Sequence, residues 1–303
     1  MKTPVAFIIF NRPDTTKRVF EAIRQAKPPK LLVIADGPRA DRPGEAEKCA
    51  AARAIIEGVD WECEVLTNYS DVNLGCGKRV STGIDWVFDQ VEEAIILEDD
   101  CLPNPSFFKF CELMLEQYRH DQRIMSISGT NHLGTWKSSI QSYYFSYYGG
   151  IWGWASWARA WKYFDYEMKL WEESEVHCLI RDILGSQKEY RNREKVFSET
   201  FEGKKNIWGY QWHFARLVQS GLSIVPTVNL ISNLGFGEGA THTLNKYSEW
   251  SNLKTQNMKF PLIHPQYMMR DVAADKLYFE KMYNPKILKR VFNKIRQLLK
   301  FRH

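Results

Sequence analysis

The sequence has no long apolar run at its start. Residues 5–10 are hydrophobic, but Asn11 and Arg12 end the run, too soon for a signal-peptide core or a membrane span, so export by that route is not expected. Cysteines are few and their spacing is uninformative: Cys49, Cys63, Cys76, Cys101, Cys111 and Cys178 form no CxxC pair and no zinc-ligand pattern. That argues against a disulfide framework or a structural metal, and for reduced thiols in a cytoplasmic protein. No Ser-His-Asp elbow and no HExxH helix occurs, which leaves hydrolase chemistry of those kinds without support. The run Gly75-Cys76-Gly77-Lys78 lacks the spacing of a phosphate loop and has Arg79 where a hydroxyl residue belongs. Lys78 and Arg79 can still offer positive charge to a phosphate at a helix start. Internal repeats and low-complexity linkers are absent as well, and 303 residues suffice for a large core in one α/β domain or two smaller ones.

What is present is concentrated at residues 94–100, AIILEDD. Ala94, Ile95, Ile96 and Leu97 read as a strand covered on both faces, and Glu98, Asp99 and Asp100 stand where that strand leaves the sheet. Open α/β sheets bind ligands outside the carboxyl ends of their strands. Three adjacent carboxylates repel one another unless a cation or donor groups intervene, and hard oxygen ligands suit Mg²⁺ or Mn²⁺. The trio therefore points to a metal-diphosphate site; a solvated acidic turn is the bland alternative.

The first half alternates strand-like and helix-like segments at βαβ spacing, which predicts a largely parallel sheet flanked by helices. Strands are expected at 5–10, 31–35, 63–66 and 94–97. Helices are expected from Pro13, over 45–56, and through Ile84, Trp86, Val87 and Phe88. The polar strand ends Asn11-Arg12, Asp36 and Glu98-Asp99-Asp100 would then gather on one edge. Beyond residue 143 the chain becomes aromatic. Trp154, Trp157 and Trp161 fall at helical spacing, which predicts a helix packed into the core, with one or two rings free to line a sugar cleft. A charged, helical region over 172–206, a helix over 208–220, a strand at 222–225 and a glycine-rich segment with Gly235, Gly237 and Gly239 follow. Residues 284–303 carry seven Lys or Arg and no acid against a whole-chain net charge of +5, so the remainder is net acidic. Their apolar residues recur at helical spacing. Such a helix either lies on an anionic membrane surface or packs on the body; nucleic-acid binding has no accompanying motif.

Taken in order, FNRP, IADG, ILEDD with the following Asn104-Pro105-Ser106-Phe107-Phe108, GWASWARAW, WGYQW and GFGEGATHT resemble the GT-A class of nucleotide-sugar glycosyltransferases. The likeness is most specific to N-acetylglucosaminyltransferase I and its bacterial relatives, and it extends to about Thr243. The resemblance implies a nucleotide-sugar-binding half over residues 1–142, an acceptor-side half over 143–250 and a C-terminal extension over 251–303. It implies that Arg12 meets the nucleotide, Asp36 accepts the uracil N3–H, Lys78 helps with phosphate, and Glu98 and Asp99 contact the ribose or metal-bound waters. Asp100 would be the metal ligand, with Mn²⁺ favoured over Mg²⁺. Gly237, Thr241 and His242 match a lid over the donor diphosphate, and Trp154, Trp208 and Tyr210 would face the acceptor.

One position departs from that pattern. Gly209 stands where the relatives have the catalytic base, and glycine cannot take a proton from an acceptor hydroxyl. Glu238, or Asp165, Glu172 or Glu173, are the carboxylates that could substitute. The expected activity is transfer of a sugar, with inversion, from a UDP-sugar to a glycan or lipid-linked saccharide in surface-glycan assembly, by a cytoplasmic protein that is at most peripheral at the inner face of the membrane. A sugar nucleotidyltransferase and a catalytically inactive nucleotide-sugar or glycan-binding protein are the alternatives.

Overall fold

The computed structural model describes residues 1–236 and 253–283. Its centre is an eight-stranded sheet. The first strand, β1 (Val5–Ile9), is buried throughout, and its side chains alternate between two cores. Val5, Phe7 and Ile9 join one core, and Ala6 and Ile8 the other, as the two-residue period of a doubly covered strand requires. Helix α1 (Pro13–Ala26) starts with Pro at its first position, where the missing N–H costs nothing. It buries Thr16, Val19, Phe20 and Ile23 as one stripe. β2 (Lys30–Ala35), α2 (Glu45–Ala54), β3 (Glu64–Tyr69), α3 (Cys76–Gln90) and β4 (Glu93–Glu98) complete the βαβ part. A short strand, β5 (Cys101–Pro103), leads into α4 (Pro105–Tyr118), whose first turn is capped by Asn104, its side chain accepting from the Ser106 N–H at 3.0 Å.

The second half contributes β6 (Ile124–Ser128), β7 (Tyr143–Ser146), β8 (Trp154–Trp157), α5 (Ala158–Trp161), α6 (Ser174–Leu184), α7 (Gln187–Phe201), α8 (Gly209–Val218), β9 (Leu222–Pro226), β10 (Ile231–Asn233) and α9 (Val272–Tyr283). The sheet order is β3-β2-β1-β4-β8-β6-β9-β7. β8 is antiparallel to both of its neighbours and β7 to β9, while the other pairings are parallel. The protein is thus a mixed α/β fold with a large, mostly parallel sheet flanked by helices, as the alternation of segments predicts. Strands from both halves share that sheet. β5 and β10 form a separate antiparallel ribbon.

One expectation is corrected. Residues 154–157 form a strand, not part of a helix; only Ala158–Trp161 is helical. The three-and-four spacing of the tryptophans is real, but a strand between β4 and β6 places Trp154 and Trp157 on opposite faces, in different cores. Trp154, Trp161, Trp208 and Trp212 then meet from three elements, with Trp154 and Trp208 stacked at 5.6 Å. β6 and β7 form from RIMSIS and YYFS, whose period-two signals are weak beside stronger neighbours. The glycine-rich residues from Gly237 onward and the basic tail 284–303 lie outside the described residues. No helix among the described residues is long and apolar enough to cross a membrane.

Candidate functional site

The polar ends of β2, β1 and β4 do converge on one edge of the sheet. In-register pairing of Ile9 with Ala35 and of Ile8 with Glu98 sets Asp36, Phe10 and the carboxylate trio side by side. They line a cavity of about 280 Å³ together with Arg12, Arg39, Asn73, Gly75, Cys76, Arg79, Trp152, Asn206 and Asn233.

Arg12 sits at the junction of β1 and α1. Its Nη1 donates to Asp100 Oδ2 at 2.6 Å and to Asp99 Oδ1 at 3.3 Å, while Asp99 Oδ2 accepts the Phe10 N–H at 3.1 Å. Burial would ease the Arg12 proton off, but Asp99 and Asp100 outweigh it and hold the guanidinium charged. One guanidinium does not balance three carboxylates. Burial first, and then repulsion from Asp100 and Asp99, pushes the Glu98 carboxyl well above its usual range. Asp99 is pushed up by burial too, with Arg12 opposing. Among the described residues, Arg12 is the side-chain cation within ion-pair distance of Asp99 and Asp100. The oxygen donor chemistry suits a hard divalent cation. Among the described residues no group of three or more His, Cys, Asp or Glu is arranged to hold a metal ion.

Asp100 is also the point where the β5–β10 ribbon delivers the chain. The Leu234 N–H donates to the Asp100 carbonyl at 2.8 Å, and a Cβ on Gly235 would overlap the Asp100 carboxylate, so only glycine allows the backbone this near. Phe236 then sets its ring edge-on to Trp152 at 5.8 Å.

Asp36 lines the cavity but its carboxylate is committed elsewhere. It accepts from the Gly37 N–H (2.9 Å), the Leu74 N–H (2.9 Å), the Gly75 N–H (3.0 Å) and Asn73 Nδ2 (3.1 Å). Those bonds match the roughly four acceptor sites of a carboxylate, so the expected uracil N3–H finds none left. Asp36 is the clamp of the turn that starts α3. Asp36→Ala is expected to lower stability by about 2–3 kcal/mol in urea denaturation, and to weaken UDP and CDP binding alike in calorimetry. Loss of UDP binding with CDP binding kept would restore the base-reading role.

Lys78 is exposed on the first turn of α3 and does not line the cavity. The buried Arg79 does, and it ties the helix to the sheet by donating from Nε to the Ala35 carbonyl at 3.2 Å and from Nη2 to Asn68 Oδ1 at 2.7 Å. Asn206, just before α8, accepts the Gly77 N–H at 2.8 Å and so caps α3 from the other half of the chain. The Cys76 thiol beside it is pushed up to about 12 by burial and then by Glu98, which makes it a poor nucleophile.

The acceptor-side assignments are also corrected. Trp154 and Trp208 are each 1% exposed and have no face to offer a sugar. Tyr210 packs against the α6–α8 core, away from the cavity lining. Glu172 and Glu173 are exposed, and Asp165 accepts the backbone N–H groups of Glu167 and Lys169; none lines the cavity. A Cβ at Gly209 would meet Ile151 Cδ1 at 2.7 Å, so a side chain there requires the end of Ile151 to shift. Gly237, Glu238, Thr241 and His242 lie outside the described residues. The ring that does reach the cavity is Trp152, the member of the tryptophan cluster outside the stripe of Trp154, Trp157 and Trp161. Gly153, at φ +59°, turns the chain between Trp152 and Trp154, and that turn divides two near neighbours between cavity and core.

The class defined by these features is a mixed α/β protein with its polar cavity at the carboxyl ends of its parallel strands. No protein-family model matches the sequence, and no curated protein does. Among solved structures the chain is similar to a UDP-glucose pyrophosphorylase complexed with UDP-glucose at 14% identity and a TM-score of 0.27, covering 48% of this chain and 63% of that one. It is also similar to the inositol-1-phosphate CTP transferase from T. maritima (10% identity, 73% and 84% coverage, TM-score 0.36). An apo UDP-glucose pyrophosphorylase matches at 11% identity, 76% and 93% coverage and a TM-score of 0.37.

Proposed function

We propose that the cavity binds a UDP-sugar together with Mn²⁺ or Mg²⁺, and that the protein transfers the sugar, with inversion, to a glycan or lipid-linked saccharide. The observation that carries this reading is the set of Glu98, Asp99 and Asp100 at the ligand edge of the sheet, with Arg12 bonded to the two aspartates. Such a set calls for a second cation, and a metal-bound diphosphate supplies one. The metal, when bound, neutralises the departing UDP. Asp100 would hold it, Arg12 would keep Asp99 and Asp100 apart and oriented, and Phe10 and Arg39 would flank the nucleoside end. Glu238 is the carboxylate this reading nominates as base. Attachment of the basic tail to an anionic membrane face belongs to the same reading.

Nucleotidyl transfer is the second reading. It is favoured by the lack of an acceptor-side carboxylate among the described lining residues, because an attacking phosphate is already anionic and needs no base. Against it, the link between β1 and α1 is only residues 10–12, with no glycine-rich turn to cradle a triphosphate. The two separate in one assay. Glycosyl transfer releases UDP from a UDP-sugar when saccharide acceptor and Mn²⁺ are present, and EDTA stops it. Nucleotidyl transfer releases pyrophosphate from UTP and a sugar 1-phosphate. Pyrophosphate release with no UDP release would overturn the glycosyl reading, and nucleotide-sugar binding with neither product would leave a binding protein.

A further inference from the structure

We propose that the indole of Trp152 is the platform on which the hexose ring of the nucleotide sugar rests, and that it sets the affinity for the sugar part of the donor. The inference rests on the nucleotide-sugar reading above and adds to it the residue that senses the sugar.

The sheet order carries the geometry. Along the ligand edge the cavity residues follow the sequence β2, β1, β4, β8: Asp36 with Asn73, then Phe10 and Arg12, then Glu98 to Asp100, then Trp152. β8 is antiparallel to β4 with Trp154 opposite Ile96, so the residues that precede β8 emerge beside the carboxylate end of β4. From β2 to β8 there are three strand spacings, about 14 Å. That span accommodates a nucleoside, a diphosphate and a pyranose laid across the edge, with the diphosphate over the carboxylates. Among the described residues each end has one aromatic side chain in the lining. Phe10, with the Arg39 guanidinium 5.7 Å above its ring, stands at the β1–β2 end, and Trp152 at the other.

Trp152 is held for such a role. His132 packs on it at 5.2 Å, Tyr278 of α9 packs edge-on to His132 at 5.4 Å, and Tyr148 stacks on Tyr278 at 4.7 Å. Lys281 Nζ donates to the His132 carbonyl at 2.6 Å, and the Thr130 hydroxyl donates to the Trp152 carbonyl at 2.7 Å. The His132 imidazole is 6% exposed and is held neutral by burial and then by Lys281, so an uncharged ring backs the indole. Trp152 itself is half-buried and lines the cavity. A pyranose presents C–H groups on its faces, and an indole face in a part-dry cavity is their natural partner. The orientation with the sugar at this end also leaves the anomeric carbon toward the second half of the chain, while Asp36 and Asn73 close the β2 end.

The test is calorimetric titration of the full-length protein with UDP, UDP-glucose, UDP-galactose and UDP-N-acetylglucosamine in Mn²⁺, repeated on Trp152→Ala and Trp152→Phe, with the unfolding midpoint of each variant recorded. The quantity read is the ratio of UDP to UDP-sugar dissociation constants. In the parent at least one UDP-sugar binds tighter than UDP. Trp152→Ala lowers that ratio by about tenfold, and Trp152→Phe by less, while affinity for UDP itself changes no more than about twofold. An unchanged ratio in Trp152→Ala, or an equal loss for UDP and UDP-sugars, overturns the proposal. So does a parent that binds no UDP-sugar tighter than UDP. Failure of UDP to bind the parent brings down the nucleotide-sugar reading as well, and so is told apart from failure of the platform alone. Should Trp152→Ala not fold, Trp152→Phe with an unaltered ratio overturns the proposal by itself.

Discussion

On the proposed function, Asp100→Asn is expected to remove metal-dependent binding of the UDP-sugar and to lower turnover by about 100-fold or more, with the thermal unfolding midpoint unchanged or raised. Asp100 is one of three carboxylates facing Arg12, and its side chain raises the cost of ionising both Glu98 and Asp99. Removing its charge relieves repulsion in the folded state, and Arg12 keeps Asp99 as a partner at 3.3 Å, so no buried charge is orphaned. The amide keeps the shape beneath Gly235, whose backbone lies too near to tolerate a larger group. What the amide cannot supply is an anionic oxygen for a divalent cation. Isothermal titration with Mn²⁺ and with EDTA, beside a UDP-release assay and a melting curve, reads all three effects. Full metal dependence surviving in Asp100→Asn would assign the cation to other residues. A large fall in midpoint would mark Asp100 as scaffold.

Trp154→Ala is expected to cost about 3–5 kcal/mol of folding stability, the range for truncating a large buried aromatic. Trp154 is 1% exposed, joins Trp161, Trp208 and Trp212, and lies in the strand that locks β4 to β6. Few atoms near it can collapse into the space, because its ring neighbours are held by α5 and by α8 with the residue that precedes it. The urea midpoint checks this directly. The pairing with Trp152 sharpens it: truncation two residues away leaves a surface ring's worth of space in a cavity that already exists, and is expected to change ligand affinity far more than stability. If Trp154→Ala left the midpoint near the parent's and weakened only ligand binding, the core assignment would be wrong and the ring would belong to the site.

Much of this architecture is legible along the chain because the relevant signals are local. The buried run before Glu98, the Pro13 helix start and the alternation of segments through residue 98 each depend on a few adjacent residues, and the sheet edge follows from the rule that parallel strands end together. Asp36 is the instructive failure. Its place at a strand end is readable, but its partners Asn73, Leu74 and Gly75 lie more than thirty-five residues on, and only their N–H groups reveal that the carboxylate is full. The tryptophans fail for a related reason. Spacing of three and four fits a helix, yet β8 wins there because β4 and β6 offer it backbone partners on both sides, and tertiary pairing overrides periodicity. Lys78 and Arg79 exchange roles once α3 docks: the helix turns Arg79 toward the ends of β2 and β3 and leaves Lys78 in water.

By itself the sequence determined the class of fold, the strand that ends in Glu98, Asp99 and Asp100, and the gathering of polar strand ends on one edge, because each follows from hydrophobic period and chain chemistry within one segment. The tertiary structure alone decided which groups at that edge are still available. It committed Asp36 to a turn, paired Arg12 with Asp99 and Asp100, sent Trp154 inward and Trp152 outward across one left-handed glycine, and set the end of Ile151 against Gly209. Those outcomes depend on contacts between residues far apart in the chain, and a buried polar group or a large ring takes whatever partner the packing brings to it.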